Sequence, residues 1–177
     1  MKIALNTFKV HHINYDWKTL YVGLKKDWIN KIEVMNYAVE YLMNHPGIQQ
    51  EEILKLAWGD KDDIEQAILN IIRVEENSFY AIEKRKWRYV ILLEVKSKYS
   101  DHATELLSKL AEVYADMNYP EHMEDFIHYQ PSNDGCNPRL HPYEKNINKL
   151  CNLFQDFLVK EKQTILKWIT AINKNIT

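Results

Sequence analysis

The chain has 177 residues, a length that fits one domain. Hydrophobic residues make up 46% of it and charged residues 27%, which excludes a disordered or fibrous chain. The formal net charge of −2 argues against a general nucleic-acid binder. The longest apolar run, residues 89–93, is far shorter than the roughly 18–20 residues that a membrane span requires. Cys136 and Cys151 form no CxxC pair, and two cysteines are too few for a disulfide framework, so we expect a reduced, cytoplasmic protein.

The first predicted helices follow from apolar spacing and capping residues. An apolar stripe with the spacing i, i+3, i+4, i+7 begins at Trp17, and Asp16 is a natural N-cap in front of it. A second stripe follows Asn30 and Glu33, which have the spacing of a capping box. Pro46 and the adjacent glycine end this second helix.

Shorter helices are predicted next, over residues 51–58 and after Asp60, which is the predicted N-cap of the second one. Residues 79–95 are ambiguous, because their apolar side chains fit both the alternation of a strand and the period of a helix. The run is long for a strand and contains no glycine or proline, which favours a helix.

The second half of the chain is also predicted to be helical. A helix begins near Asp101, and Pro120 opens a short one. Clustered prolines and a glycine predict a loop at about residues 130–142, and an apolar stripe predicts one long helix over about residues 143–173. The predicted fold is therefore all-α, or nearly so: a single-domain multi-helix array over residues 1–177 with a long C-terminal helix.

Charge is distributed unevenly along the chain. Residues 1–110 carry equal numbers of basic and acidic side chains, and residues 139–177 are net basic. Between them, residues 110–138 contain six carboxylates and no Lys or Arg. We call this stretch the acidic window.

Tyrosines lie among the carboxylates of the acidic window. Aromatic side chains provide large contact areas at protein interfaces, and carboxylates attract a basic partner. The window therefore predicts a binding surface for a protein partner. The candidate residues are Asp116, Tyr119, Glu121, Glu124, Asp125 and Tyr129. The alternative is that the tyrosines pack inward and the carboxylates only solvate a loop.

The sequence contains no signature of catalysis or metal binding. It lacks HExxH, GxSxG and Cys/His ligand spacings, and its four scattered glycines form no phosphate-binding loop. We therefore predict a protein that is not an enzyme and that holds no metal or cofactor. The enzyme alternative is a small hydrolase or nuclease that uses His122, His128 and His141 with nearby carboxylates. A Cys136 nucleophile with a histidine base is a further form of it.

A second alternative is a winged-helix nucleic-acid binder. Three predicted helices, followed by a hairpin within residues 79–93, would imitate a winged helix-turn-helix with a basic wing. The recognition helix, residues 60–76, would then carry six carboxylates against two cations, and carboxylates repel phosphate. This electrostatic conflict argues against nucleic acid as a partner.

The acidic window also carries a family resemblance. Residues 113–121, with the sequence Val-Tyr-Ala-Asp-Met-Asn-Tyr-Pro-Glu, and the segment from Asp125 to Pro131 resemble a bacterial family of domains of unknown function. The chain departs from the family pattern at Met117, where the pattern has an aromatic residue, and at Asn118, where it has an acid.

Further blocks at residues 28–38 and 86–89 extend the resemblance over about residues 16–131. Members of that family are often encoded beside polymorphic toxins and look like immunity proteins. The resemblance implies a functional class and no active site. Together with the acidic window, it predicts a bacterial cytoplasmic immunity protein that binds a basic partner toxin and occludes the toxin's site.

Overall fold

A computed structural model of the protein describes the backbone of residues 1–59, 62–128 and 143–174 and, within the last range, the side chains of 146–168. Across these ranges the chain is helical and contains no strand, so the all-α prediction is confirmed. The α-helices are α1 (Asn6–Val10), α2 (Trp17–Lys25), α3 (Lys31–Asn44), α4 (Glu51–Trp58), α5 (Ile64–Ile72), α6 (Tyr80–Tyr99), α7 (Ala103–Asp116) and α8 (Tyr143–Lys174). Two 3-10 helices cover Glu76–Ser78 and Glu121–Phe126.

Two predictions about individual segments are confirmed. The ambiguous residues 79–95 belong almost entirely to α6, so the helical interpretation was correct. The long C-terminal helix is present as α8, which has 32 residues. The loop predicted at about residues 130–142 lies outside the described residues. No helix among those described is long and apolar enough to cross a membrane.

The chain forms two compact units, Met1–Val90 and Ile91–Thr177, and α6 begins in the first and ends in the second. In the first unit, α3 packs against α4, while α5 contacts both α2 and α4. In the second unit, α8 packs against α7 and against the 3-10 helix Glu121–Phe126. The assignment of residues 1–177 to a single domain stays a prediction.

The start of α2 confirms the predicted N-cap. Asp16 Oδ1 accepts hydrogen bonds from the backbone N–H groups of Lys18 and Thr19, at 2.9 and 3.2 Å. The Thr19 hydroxyl in turn accepts the Asp16 N–H at 3.1 Å, which completes a capping box. This reciprocal cap orients the first turn of α2 and places Thr19 in the core, where it is fully buried.

The caps of the next helices differ from the predictions. Asn30 is the N-cap of α3, but its side chain makes no capping hydrogen bond, so the predicted capping box with Glu33 was wrong. Glu33 Oε2 instead accepts the N–H of Leu5 at 3.0 Å. Asp63, with φ of +45°, is the N-cap of α5 and accepts the Gln66 N–H at 3.2 Å; the predicted cap, Asp60, lies outside the described residues.

Trp87 of α6 is fully buried in the core of the first unit. Its Nε1 donates a hydrogen bond of 2.7 Å to the carbonyl oxygen of Thr19. The indole meets the Phe8 ring edge-on, with centroids 4.7 Å apart, and the Trp28 ring at 5.9 Å. On α2, Gly23 lies so close that a Cβ built there would be 2.2 Å from Cζ2 of Trp87. A glycine at this position is therefore what allows α2 and the indole to pack together.

Phe126 anchors the 3-10 helix of the second unit. Its buried ring lies 5.3 Å from the Phe154 ring and 5.1 Å from the Phe157 ring of α8, measured between centroids. Met123, three residues earlier on the same side of this helix, is also fully buried. These contacts fix the segment that carries three of the six predicted binding residues, Glu121, Glu124 and Asp125.

Candidate protein-binding surface

The backbone turns sharply where α7 ends. The N–H of Met117 donates to the Val113 carbonyl oxygen, and the N–H of Tyr119 donates to the Tyr114 carbonyl oxygen, each at 3.0 Å. Asn118 and Tyr119 both have positive φ, +62° and +54°. Left-handed backbone is uncommon for residues other than glycine, and asparagine tolerates it far better than a bulky residue does. The Tyr119 backbone is therefore strained and is held in place by its surroundings.

The turn separates two tyrosines of the acidic window. Tyr114 is buried, and its hydroxyl donates a 3.2 Å hydrogen bond to Glu124 Oε1. Tyr119 is 61% exposed and meets the Tyr114 ring edge-on, with centroids 5.3 Å apart. One tyrosine therefore belongs to the core of the second unit, while the other presents its ring to solvent.

The carboxylates around this turn are mostly exposed. Asp116 at the end of α7 and Glu121 and Asp125 on the 3-10 helix are all exposed, whereas Glu124 is half-buried. Met123 and Phe126 occupy the buried side of the 3-10 helix, and Glu121 and Asp125 lie away from that side. We call the four exposed residues the Tyr119 surface: Asp116, Tyr119, Glu121 and Asp125.

The predicted binding residues thus divide into three groups. Four form the Tyr119 surface, and Glu124 lies behind it as the hydrogen-bond acceptor of Tyr114. Tyr129 lies outside the described residues. The sequence interpretation missed the strain at Tyr119; the signal for it was Asn118, a residue that favours left-handed turns directly after the last residues of a helix. The binding role of these residues stays a prediction.

Residues 5–162 match the model of a family described as an uncharacterised protein conserved in bacteria, DUF2247. The chain belongs to this family. No match was found among curated proteins or among solved structures.

The matched residues include the acidic window, the turn at Tyr119 and most of α8. It covers 158 of the 177 residues and therefore both compact units. This family description does not include the predicted link to toxin-associated immunity proteins.

Two of the three histidines of the enzyme alternative lie among the described residues. His122 and His128 are exposed, and the His122 ring stacks on Phe157 with centroids 6.1 Å apart. His141 and Cys136 lie outside the described residues. Among the residues that the structure does describe, no group of three or more His, Cys, Asp or Glu side chains could hold a metal ion. The proposal of a small hydrolase therefore receives no support from the described geometry.

Cys151 is a free cysteine that lies among the described residues. It is half-buried on α8, and burial raises the pKa of its thiol. Because the thiolate is the reactive form, a raised pKa makes this cysteine less reactive at neutral pH.

The winged-helix alternative requires a β-hairpin within residues 79–93, where the structure has a helix. Residues 79–93 were to supply both strands of the wing, but α6 runs without interruption over Tyr80–Tyr99. The cations of the supposed wing lie on this helix, where Lys86 and Arg88 are buried. The predicted hairpin of the wing is therefore wrong, and a winged helix-turn-helix does not form over these residues.

Proposed function

We propose that this protein is an immunity-type protein that binds a basic partner toxin through the Tyr119 surface and occludes the toxin's site. The observation that carries the proposal is the exposed Tyr119 ring, held on a left-handed backbone beside exposed carboxylates. A bulky residue in this conformation costs stability and adds little to the core. Such strain is typical of positions that are kept for recognition.

The electrostatics of the acidic window support a basic partner. Residues 110–138 contain six carboxylates and no Lys or Arg, and the three carboxylates of the Tyr119 surface are exposed. Their field reaches about 8–10 Å at physiological ionic strength. A field of this kind steers an oppositely charged protein and raises the association rate.

The exposed ring of Tyr119 favours a slowly dissociating complex, in addition to the fast association that the carboxylates provide. Tyrosine is enriched among the residues that dominate binding energy, because its ring buries a large area at a small entropic cost. In this arrangement the carboxylates control the association rate, and Tyr119 controls the dissociation rate. The two contributions can be measured separately.

The first prediction concerns the association rate. We expect Asp116→Lys/Glu121→Lys to slow association with the toxin at least tenfold at low salt, because the steering field is reversed. Glu124 is left intact because it accepts the Tyr114 hydrogen bond. The control is Glu105→Lys/Asp156→Lys, which makes the same change in net charge at two exposed positions of α7 and α8. Stopped-flow binding at several salt concentrations measures both variants.

The second prediction concerns Tyr119→Gly. Glycine relieves the positive φ, and this gain offsets the lost contact with the Tyr114 ring, so the free energy of unfolding should change by less than about 1 kcal/mol. Binding should weaken by about 2 kcal/mol or more, mainly through a faster dissociation rate. If Tyr119 had only a structural role, Tyr119→Gly would lower the free energy of unfolding and leave binding unchanged.

The partner for these measurements is the product of the gene adjacent to this one. Pull-down and co-expression with that product test whether this protein binds it and relieves its toxicity. If the neighbouring product neither binds nor is toxic, the immunity proposal is wrong. If it binds with wild-type rates to both variants, the Tyr119 surface is not the interface.

A further inference from the structure

The exposed Tyr119 ring rests on a buried neighbour, Tyr114. The two rings meet edge-on, with centroids 5.3 Å apart and planes at 82°, an arrangement that aromatic pairs favour. The Tyr119 N–H also donates to the Tyr114 carbonyl oxygen at 3.0 Å. Tyr114 therefore contacts Tyr119 at two places, its backbone and its ring.

Tyr114 is in turn held at the tip of its own ring. It is 1% exposed, and its hydroxyl donates to Glu124 Oε1 at 3.2 Å. A hydrogen bond to a carboxylate is stronger than one to a neutral acceptor. This bond restrains the end of the ring that lies farthest from the backbone. The contacts therefore form a chain from Glu124 through Tyr114 to Tyr119.

Glu124 differs from the other carboxylates of the 3-10 helix. Glu121 and Asp125 are exposed, whereas Glu124 is half-buried and follows the fully buried Met123. Phe126, two residues later, packs against the Phe154 ring of α8, which fixes the backbone that carries Glu124. The hydrogen bond to Tyr114 thus gives Glu124 a role inside the chain.

We propose that Glu124 is a positioning residue of the Tyr119 surface: through the Tyr114 hydroxyl it holds the Tyr119 ring in the orientation that the toxin binds, and it does not contact the toxin itself. This inference rests on the proposed function. Ordering a side chain during binding costs free energy, so a ring that is ordered beforehand binds more tightly. Preorganisation of this kind acts mainly on the dissociation rate.

Tyr114→Phe tests the chain of contacts, because it removes only the hydroxyl that reaches Glu124. We expect the toxin to dissociate about three to ten times faster, with little change in the association rate. In a Tyr119→Gly background the same substitution should have no further effect, since no ring remains to be held. If the two effects on the dissociation rate are additive instead, Tyr114 does not act through Tyr119 and the proposal is wrong.

Substitutions of Glu124 separate positioning from direct contact. Glu124→Leu should raise the dissociation rate as Tyr114→Phe does, because both remove the same hydrogen bond. Glu124→Gln keeps an oxygen that can accept this bond and should restore the dissociation rate close to that of the wild type. Glu121→Gln provides the comparison, since it removes one charge of the exposed surface and should slow association. If Glu124→Gln raises the dissociation rate as much as Glu124→Leu, the charge itself binds the toxin and the positioning role is wrong.

The matched control is Tyr21→Phe in the first unit. Tyr21 is buried like Tyr114, and its hydroxyl donates to Glu76 Oε2 at 3.0 Å. The control therefore removes a tyrosine–glutamate hydrogen bond that does not involve Tyr119. It should leave the dissociation rate of the toxin unchanged even if it lowers the melting temperature as much as Tyr114→Phe does. An equal rise in the dissociation rate for both variants would overturn the proposal.

The order of the Tyr119 ring can be measured without a partner. NMR coupling constants that report the Tyr119 χ1 angle should show one rotamer in the wild type and in Tyr21→Phe, and averaging in Tyr114→Phe and Glu124→Leu. Averaging in the wild type would contradict the proposal.

These measurements also distinguish a failure of the positioning role from a failure of the proposed function. If the neighbouring gene product does not bind, the proposed function is wrong, and the coupling constants still decide whether Glu124 and Tyr114 hold the ring. If Tyr119→Gly weakens binding but Tyr114→Phe does not, the Tyr119 surface remains the interface and the positioning role is wrong.

Discussion

Gly23→Ala is expected to lower the free energy of unfolding by about 3 kcal/mol, which is the upper end of the usual cost of overpacking a core. The added methyl carbon would lie 2.2 Å from Cζ2 and 2.7 Å from Cε2 of Trp87. The indole has no room to retreat, because it is fully buried, hydrogen-bonded to Thr19 and in contact with Phe8 and Trp28. Alanine's better helix propensity, worth about 1 kcal/mol, offsets part of a larger steric cost.

A double-mutant cycle isolates the steric origin of this loss. Trp87→Phe removes the ring atoms that the new methyl group would strike, so Gly23→Ala should cost much less in the Trp87→Phe background than in the wild type. Urea unfolding of the four proteins measures the coupling. If the changes in the free energy of unfolding from the two substitutions are additive, the stability lost in Gly23→Ala has another cause, such as an altered α2 backbone.

The local signals in the sequence predicted the helices well. The N-cap of α2 was predictable because Asp16 binds the backbone N–H groups of Lys18 and Thr19, which lie only two and three residues further along the chain. α6 was also predictable, since a long run without glycine or proline fits a helix better than a strand. In each case the capping or helical backbone hydrogen bonds join residues a few positions apart, so spacing alone can reveal them.

Contacts distant in sequence could not be predicted in this way. Glu33 has the spacing for a capping box with Asn30, but its carboxylate instead accepts a hydrogen bond from the N–H of Leu5, 28 residues away in sequence. Likewise, the sequence could not show which tyrosine of the acidic window faces solvent. That choice depends on two consecutive left-handed residues, Asn118 and Tyr119, which turn the chain after α7.

The outward face of α3 carries a signal that was present in the sequence but not used. The stripe that follows Asn30 and Glu33 predicted one apolar face, yet Ile32, Val39 and Met43 follow an equally regular spacing on the exposed side. A helix with two apolar faces cannot bury both against one neighbouring layer. The second face therefore predicts an additional contact, and periodicity alone does not identify which contact it is.

Lys86→Met is expected to cost the first unit about 3–5 kcal/mol at pH 7, the usual result of removing one partner from a buried ion pair. Lys86 Nζ lies 2.7 Å from Glu83 Oε1, and both side chains are buried. The Thr19 hydroxyl donates to Glu83 Oε2 at 2.6 Å. Without Lys86, the Glu83 carboxylate remains buried with one hydrogen bond and no counter-ion. The control, Lys109→Met, breaks an exposed pair of the same spacing with Glu112 and should change stability little.

The size of this loss should depend on pH. Burial raises the pKa of Glu83 and the Lys86 ammonium opposes that rise, so Lys86→Met moves the pKa further up. When the pKa of an acid is higher in the folded state than in the unfolded state, the folded state binds the proton more tightly. Stability then increases as pH falls through the folded pKa, down to the ordinary value for glutamate. The deficit of Lys86→Met relative to the wild type should therefore shrink between pH 7 and pH 5.

Glu83→Gln/Lys86→Met tests the electrostatic origin of the loss. The double variant removes both charges and keeps a side-chain oxygen that can accept the Thr19 hydroxyl. It should be more stable than Lys86→Met at pH 7, because replacing both members of a buried pair costs less than leaving one charge alone. Its stability should also lose the additional pH dependence, since Glu83 no longer titrates. Urea unfolding at pH 5 and pH 7 gives all the required values. A Lys86→Met deficit that is equal at both pH values, or a double variant no more stable than the single one, would mean that Lys86 acts through the packing of its aliphatic chain and not through its charge.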